Sequence, residues 1–248
     1  MKKGFFWITL LLIAATILGG CNTTPTAGEP DGAETVPFEY TTYELDGERF
    51  VTLTKYIGED TDVTVPTAID GLTVTEIGAE CFAGSAVVSV TVPDAVIVAD
   101  TNAFAECKAL ERVTLPENML YLGGQAFLNC TSLKEITLPA TGVTEYSWGM
   151  FLGSGLEKIT LREGIEILPA NMFLGCALTE ITIPASVTKI MPGALGCESL
   201  TKVYFEGDAP AMTDTVLTSS ENPFTVSYRS GAAGFDDPTW DAFPKEVR

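Results

Sequence analysis

One seven-residue phrase returns along this chain at a nearly constant interval, and that regularity limits the possible folds more than composition does. Leu110-Glu-Arg-Val-Thr-Leu-Pro116 comes back as Leu133-Lys-Glu-Ile-Thr-Leu-Pro139, Leu156-Glu-Lys-Ile-Thr-Leu-Arg162, Leu178-Thr-Glu-Ile-Thr-Ile-Pro184 and Leu200-Thr-Lys-Val-Tyr-Phe-Glu206. An earlier copy reads Val87-Val-Ser-Val-Thr-Val-Pro93. The last residues of the copies are separated by steps of 23, 23, 23, 22 and 22. A fixed period in this range predicts a solenoid, in which each unit is one coil.

Each unit carries a second landmark 11 or 12 residues after the first: Ala103-Phe104, Ala126-Phe127, Met150-Phe151, Met172-Phe173 and Ala194-Leu195. A small thiol or hydroxyl follows: Cys107, Cys130, Ser154, Cys176 and Cys197. The first half of the unit alternates apolar and polar residues, as a strand does. Proline, or what stands in its place, ends the strand, because proline has no N–H for a ladder. The second half turns the chain back and sends the Phe inward. One coil cannot bury its own apolar side, whereas stacked coils about 4.8 Å apart bury a continuous core. The Phe, Cys and Leu positions should then form internal columns.

The unit L-x-x-V-T-L-P-x-x-V-x-x-I-x-x-x-A-F-x-x-C resembles the BspA-like branch of the leucine-rich repeats over about residues 43 to 206. Phe50 to Gly58, Val63-Thr-Val-Pro66 and Ile69 to Gly78 are similar to the start of such domains. Arg162, Ser154 and Leu195 depart from the pattern in ways that keep size or polarity tolerable. The resemblance implies a β-rich solenoid: a right-handed coil stack with a parallel sheet, short helical turns, and a cap at each end. It also implies a bacterial surface protein that binds partners without turning over substrates.

The expected organisation follows in chain order. Residues 1–20 read as a lipoprotein signal peptide. Lys2 and Lys3 precede an apolar run of 14 residues, Phe5 to Leu18. That is short of the ~20 residues a membrane-spanning helix needs and fits a signal core. Leu18-Gly-Gly-Cys21 resembles a lipobox, in which the Cys21 thiol takes the lipid and becomes the new N-terminus. The alternative is an ordinary cleaved signal with a chance cysteine. Cleavage there leaves 12 basic against 33 acidic residues, a net charge of −21. Such a surface repels nucleic acid and anionic membranes. Attachment to a membrane is therefore expected through the N-terminal lipid, at the outer face of a bacterial membrane. Residues 21–37, rich in Thr, Pro, Gly and Ala, read as a flexible tether. Residues 38–71 read as the N-terminal cap, 72–206 as the solenoid of about five or six coils, and 207–248 as the C-terminal cap.

The candidate binding face is the outward side of the repeating strand, the side that forms the ligand face in leucine-rich repeats. Its residues are Arg112, Thr114, Glu135, Thr137, Lys158, Thr160, Glu180, Thr182, Lys202 and Tyr204. In a parallel stack the charges alternate in sign and the threonines line up beside them. Exposed pairs are worth only ~0–1 kcal/mol each, so the ladder mainly avoids like-charge stacking. The plainer reading of the threonines is strand propensity. A second candidate is a sugar-stacking platform from Trp240 and Phe235 with Asp236 beside them, set against the simpler possibility that these aromatics cover the last coil.

Chemistry leaves little trace. The chain has no histidine, so a Ser-His-Asp or Cys-His device cannot be assembled. Ser186 to Lys189 and Ser199 to Lys202 match S-x-x-K but lie in phase with the repeat. Asp60 and Asp62 supply too few oxygens for calcium, and no C-x-x-C supports zinc. An odd number of cysteines after Cys21 argues for free, buried thiols. No catalytic residue, metal or cofactor is assigned, and a monomer that binds a surface protein or glycan is expected.

Overall fold

The computed structural model describes residues 36–212 and 223–248. The signal segment, Cys21 and most of the tether lie outside the described residues. The described chain is almost wholly short strands and turns, all within the unit Pro37–Arg248. The first six strands are β1 (Phe38–Leu45), β2 (Glu48–Tyr56), β3 (Asp62–Thr64), β4 (Ala68–Ile69), β5 (Leu72–Ile77) and β6 (Ser89–Thr91). Next come β7 (Val98–Ala99), β8 (Arg112–Thr114), β9 (Tyr121–Leu122), β10 (Glu135–Leu138), β11 (Lys158–Leu161) and β12 (Ile167–Leu168). The last six are β13 (Glu180–Ile183), β14 (Lys189–Ile190), β15 (Lys202–Phe205), β16 (Ala211–Met212), β17 (Thr225–Tyr228) and β18 (Lys245–Val247).

These strands make a β-solenoid of about eight turns. One side carries the repeating phrase, as parallel groups β3-β6-β8, β10-β11 and β13-β15-β17-β18. The other carries β1-β2-β5-β7-β9, with β4 on β5, and β12-β14-β16. Pairing places equivalent residues of successive copies side by side: Glu135 beside Lys158, Thr137 beside Thr160, and Thr182 beside Tyr204. The stack is longer than the expected five or six coils. Strand β3 joins upstream and β17 and β18 join downstream, in segments where the phrase is too eroded to recognise.

The ring column is the spine. Tyr56, Phe82, Phe104, Phe127, Phe151 and Phe173 stack in order, with centroids 5.2, 5.1, 5.3, 5.3 and 5.9 Å apart. Between Phe104 and Phe173 the ring planes stay within 9° of parallel. These phenylalanines are fully buried, and each such burial contributes ~1.5–3 kcal/mol before the entropy of ordering the side chain.

The expected helical turns are absent among the described residues. The one helical element is a single 3-10 turn, Pro238–Trp240, outside the repeat. Around each Phe the chain instead adopts left-handed backbone two residues before and, in most coils, two residues after. The first set is Glu80, Asn102, Gln125, Gly149, Asn171 and Gly193; the second includes Gly84, Glu106, Asn129, Gly153 and Gly175. Positive φ at this spacing interrupts a helical ladder. The freed N–H groups donate across coils: Gln125 to Trp148, Phe127 to Met150, and Asn129 to Leu152, each at 2.9 Å. The corner thus pairs its backbone between coils without being a strand.

Candidate binding face

Alternation sends one set of side chains of each repeating strand inward and the other out. Thr114, Thr137, Thr160 and Thr182 are exposed, as are Arg112, Glu135, Lys158 and Glu180; Lys202 and Tyr204 are half-buried. The anticipated charge ladder forms only in part. Lys158 reaches Glu135 at 3.8 Å. Arg112 does not face Glu135. It turns to Glu111 at 3.2 Å and Asp62 at 3.9 Å. Lys202 bypasses Glu180 and pairs with Glu246 at 2.9 Å, which raises the Lys202 pKa and lowers that of Glu246.

The cause lies in the backbone. Strand pairing joins β10 to β11 but neither β8 to β10 nor β11 to β13. At the first break the inward residues are incompletely covered. Val113 and Leu115 are half-buried, whereas their equivalents Val90, Val92, Ile181 and Ile183 are 1–3% exposed. A groove of about 490 Å³ opens there, with Val113, Leu115 and Ile136 among its lining residues. Its walls bring together Arg112, Thr114, Glu135, Thr137, Lys158 and Thr160. That volume falls in the range typical of ligand sites, ~300–1,000 Å³.

The remaining four face residues lie elsewhere, on the last sheet group. There Tyr204 is flanked by Lys202 and Arg248, with cationic atoms 5.1 and 5.5 Å from its ring centre. Glu206 holds both Arg248, at 2.5 Å, and Arg229. These contacts hold the Glu206 pKa below its usual range, Arg248 being the larger influence. This end of the face is tied up in its own ion pairs.

Two charged residues of the groove are not among the candidate face residues. Glu117 and Arg162 pair at 2.6 Å, across two coils and past Pro139. The signal was available: Arg162 stands where most copies carry proline.

The C-terminal aromatic platform is corrected. Trp240 and Phe235 are 1% and 2% exposed. They form a cluster with Phe205, centroids 5.2 and 5.3 Å away, and Phe235 stacks on Tyr228 at 4.2 Å. Neither ring has a free face for a sugar, and Asp236 is left exposed beside them without a platform. Packing won because Phe205 and Tyr228 offer apolar surface that these rings cover.

The five described cysteines are buried and unpaired. Cys107, Cys130, Cys176 and Cys197 each donate to a phenylalanine carbonyl of the preceding coil, at 3.0–3.1 Å. Burial pushes the Cys81 thiol up to about 12. Asp62 belongs to the ion pair with Arg112, and no cluster of described residues is arranged to hold a metal ion. No described helix is long and apolar enough to cross a membrane.

The family model described as BspA type leucine rich repeat region matches residues 68–177 and 149–222, in six copies. No curated protein matches the chain. Among solved structures, a leucine rich repeat protein from T. pallidum is 25% identical, with 80% of this chain and 86% of that one covered and a TM-score of 0.48. A leucine rich cell surface protein from Faecalibacterium prausnitzii is 20% identical over 90% and 74% of the two chains, TM-score 0.47. The pneumococcal vaccine antigen PcpA is 17% identical over 84% of this chain, TM-score 0.53. It shares the fold, and the match spans 47% of its length.

Proposed function

Because the chain belongs to the BspA-type leucine-rich-repeat family, we propose that it is a non-enzymatic binding or scaffold protein of a bacterial cell surface. In this reading Cys21 carries the lipid, the tether holds the solenoid off the membrane, and a monomer presents its strand face to a protein or glycan. The observation that carries the binding role is the groove at the β8/β10 break. It is the place on this face where apolar side chains, threonine hydroxyls and charges of both signs meet in one concavity. A fold alone does not assign a function, and the groove supplies the local argument.

The test is capture of collagen, fibronectin and laminin, and of a glycan array, by the mature chain. Thr137→Arg together with Thr160→Arg fills the groove with bulk and charge. Lost capture with an unchanged melting temperature supports the reading; undiminished capture removes it. Incorporation of labelled palmitate by the parent but not by Cys21→Ala checks the anchor.

A further inference from the structure

Four large apolar side chains are exposed among the described residues: Ile57, Tyr146, Trp148 and Val247. Tyr146 and Trp148 sit two residues apart in one coil, and that coil alone has 12 residues between its two landmarks; the other four have 11. The extra residue changes which side chains face in. Five residues before the landmark Phe or Leu, the other copies place Ile77, Ala99, Leu122, Leu168 and Ile190, all 0% exposed. This copy places Tyr146 there, 57% exposed. Three residues before, the others place Ala79, Thr101, Gly124, Ala170 and Pro192, and this one places Trp148, 45% exposed. The extra residue is taken up in a turn at Glu145 and Tyr146, and Ser147 takes the inward place.

The extruded turn is fixed in place. Ser147, 0% exposed, accepts from the Thr144 N–H at 3.0 Å and donates to the Leu122 carbonyl at 2.5 Å. The Trp148 carbonyl accepts from the Gln125 N–H at 2.9 Å. The indole lies against Gly124, where an added Cβ would sit tightly, 3.0 Å from the ring nitrogen. Two rings are thus displayed on backbone bonded to the neighbouring coil, a preorganised platform.

We infer that Tyr146 and Trp148 form a binding site for a neutral, pyranose-based glycan, separate from the strand-face groove. A sugar ring has an apolar face of C–H bonds that covers an aromatic ring, and a rim of hydroxyls that needs polar neighbours. Thr141, Thr144 and Glu145 share the loop, and half-buried Thr101, Asn102 and Gln125 lie on the preceding coils. The size fits a sugar and not a protein. Two aromatic side chains can bury roughly 150–250 Å² each; at half exposure they offer on the order of 200 Å², against ~800 Å² per partner in a stable protein interface. Charge narrows the class: between Glu135 and Glu157 the chain has no lysine or arginine, so nothing local would neutralise an acidic glycan.

The experiment is calorimetric titration of the mature chain with maltohexaose, cellohexaose and chitohexaose, beside polygalacturonate and poly-lysine, with acrylamide quenching of tryptophan emission. Trp240 is buried, so a quenchable signal reports Trp148. At least one neutral hexaose is expected to bind and protect Trp148. Its affinity should fall at least tenfold in both Trp148→Ala and Tyr146→Ala; the second variant and the quenching of the parent stand if the first misfolds. Binding by none of the three, binding undiminished in the variants, or binding of a polyelectrolyte alone overturns the inference. So does a dimer that the variants disperse. None of these outcomes depends on the Thr137 and Thr160 variants, so the two sites fail separately.

Discussion

The thiol of Cys130 donates to the backbone carbonyl of Phe104, one coil earlier, at 3.1 Å. The same bond recurs from Cys107 to Phe82, Cys176 to Phe151 and Cys197 to Phe173. The cysteine position is therefore a small buried donor, and redox chemistry is not needed to explain it. Cysteine reacts as thiolate; burial pushes the Cys81, Cys107 and Cys130 thiols up, Cys81 to about 12. A hydrogen bond between Cys176 and Cys197 lowers Cys176 and raises Cys197, so for Cys176 it is burial from reagent that protects. Ellman's reagent at pH 8 should leave all five described cysteines unmodified in the folded chain and label them in guanidinium.

Phe127 lies between Phe104 and Phe151 at 5.3 Å from each. Removing the ring opens a cavity in the middle of the column. Phe127→Ala should cost ~3–5 kcal/mol, a fall on the order of 10 °C in melting temperature for a domain of this size. Neighbouring coils depend on each other in such stacks, so Phe82→Ala, nearer the end, should be milder. Thermal melts of the two variants decide the point.

Ser147 satisfies one buried and one part-buried backbone group with one hydroxyl. Ser147→Ala leaves the Leu122 carbonyl and the Thr144 N–H without that partner and should cost ~1–3 kcal/mol. Because the hydroxyl also pins the turn that displays Trp148, acrylamide should quench this variant more strongly than the parent.

Glu76 is 8% exposed. Burial raises its pKa, against a 2.8 Å hydrogen bond from Thr52 and one from the Tyr43 side; Asp100 adds to the rise. Tyr43, half-buried beside it, is itself pushed up to about 12 by desolvation. The folded state thus holds the Glu76 proton more tightly than the unfolded chain. The resulting stabilisation is complete at low pH and is lost as pH rises from the ordinary carboxyl range through the raised value. Glu76→Gln should therefore gain stability over the parent at pH 7.5 relative to pH 4. Paired melts at the two pH values measure the difference.

Glu135 stands opposite Lys158 in register. Glu135→Lys puts like charges side by side at an exposed position. The loss should stay below ~1 kcal/mol, and Lys158→Glu in the same chain should recover most of it. A denaturant double-mutant cycle reads the coupling.

The sequence by itself determined the coil, its period and its inward column of rings. Those are written within each unit, as an alternation around Val113 or Ile136 and a Phe at a constant offset, so one chain read alone displays them. What only the tertiary structure decided lies between units. That β8 and β10 do not pair, that Arg112 turns to Asp62 and away from Glu135, that Tyr146 points out, and that Trp240 is spent on Phe205 all depend on how one coil meets the next. Cross-coil hydrogen bonding is a relation between distant backbones, and a single extra residue or an arginine in place of proline shifts it with no change in the local pattern.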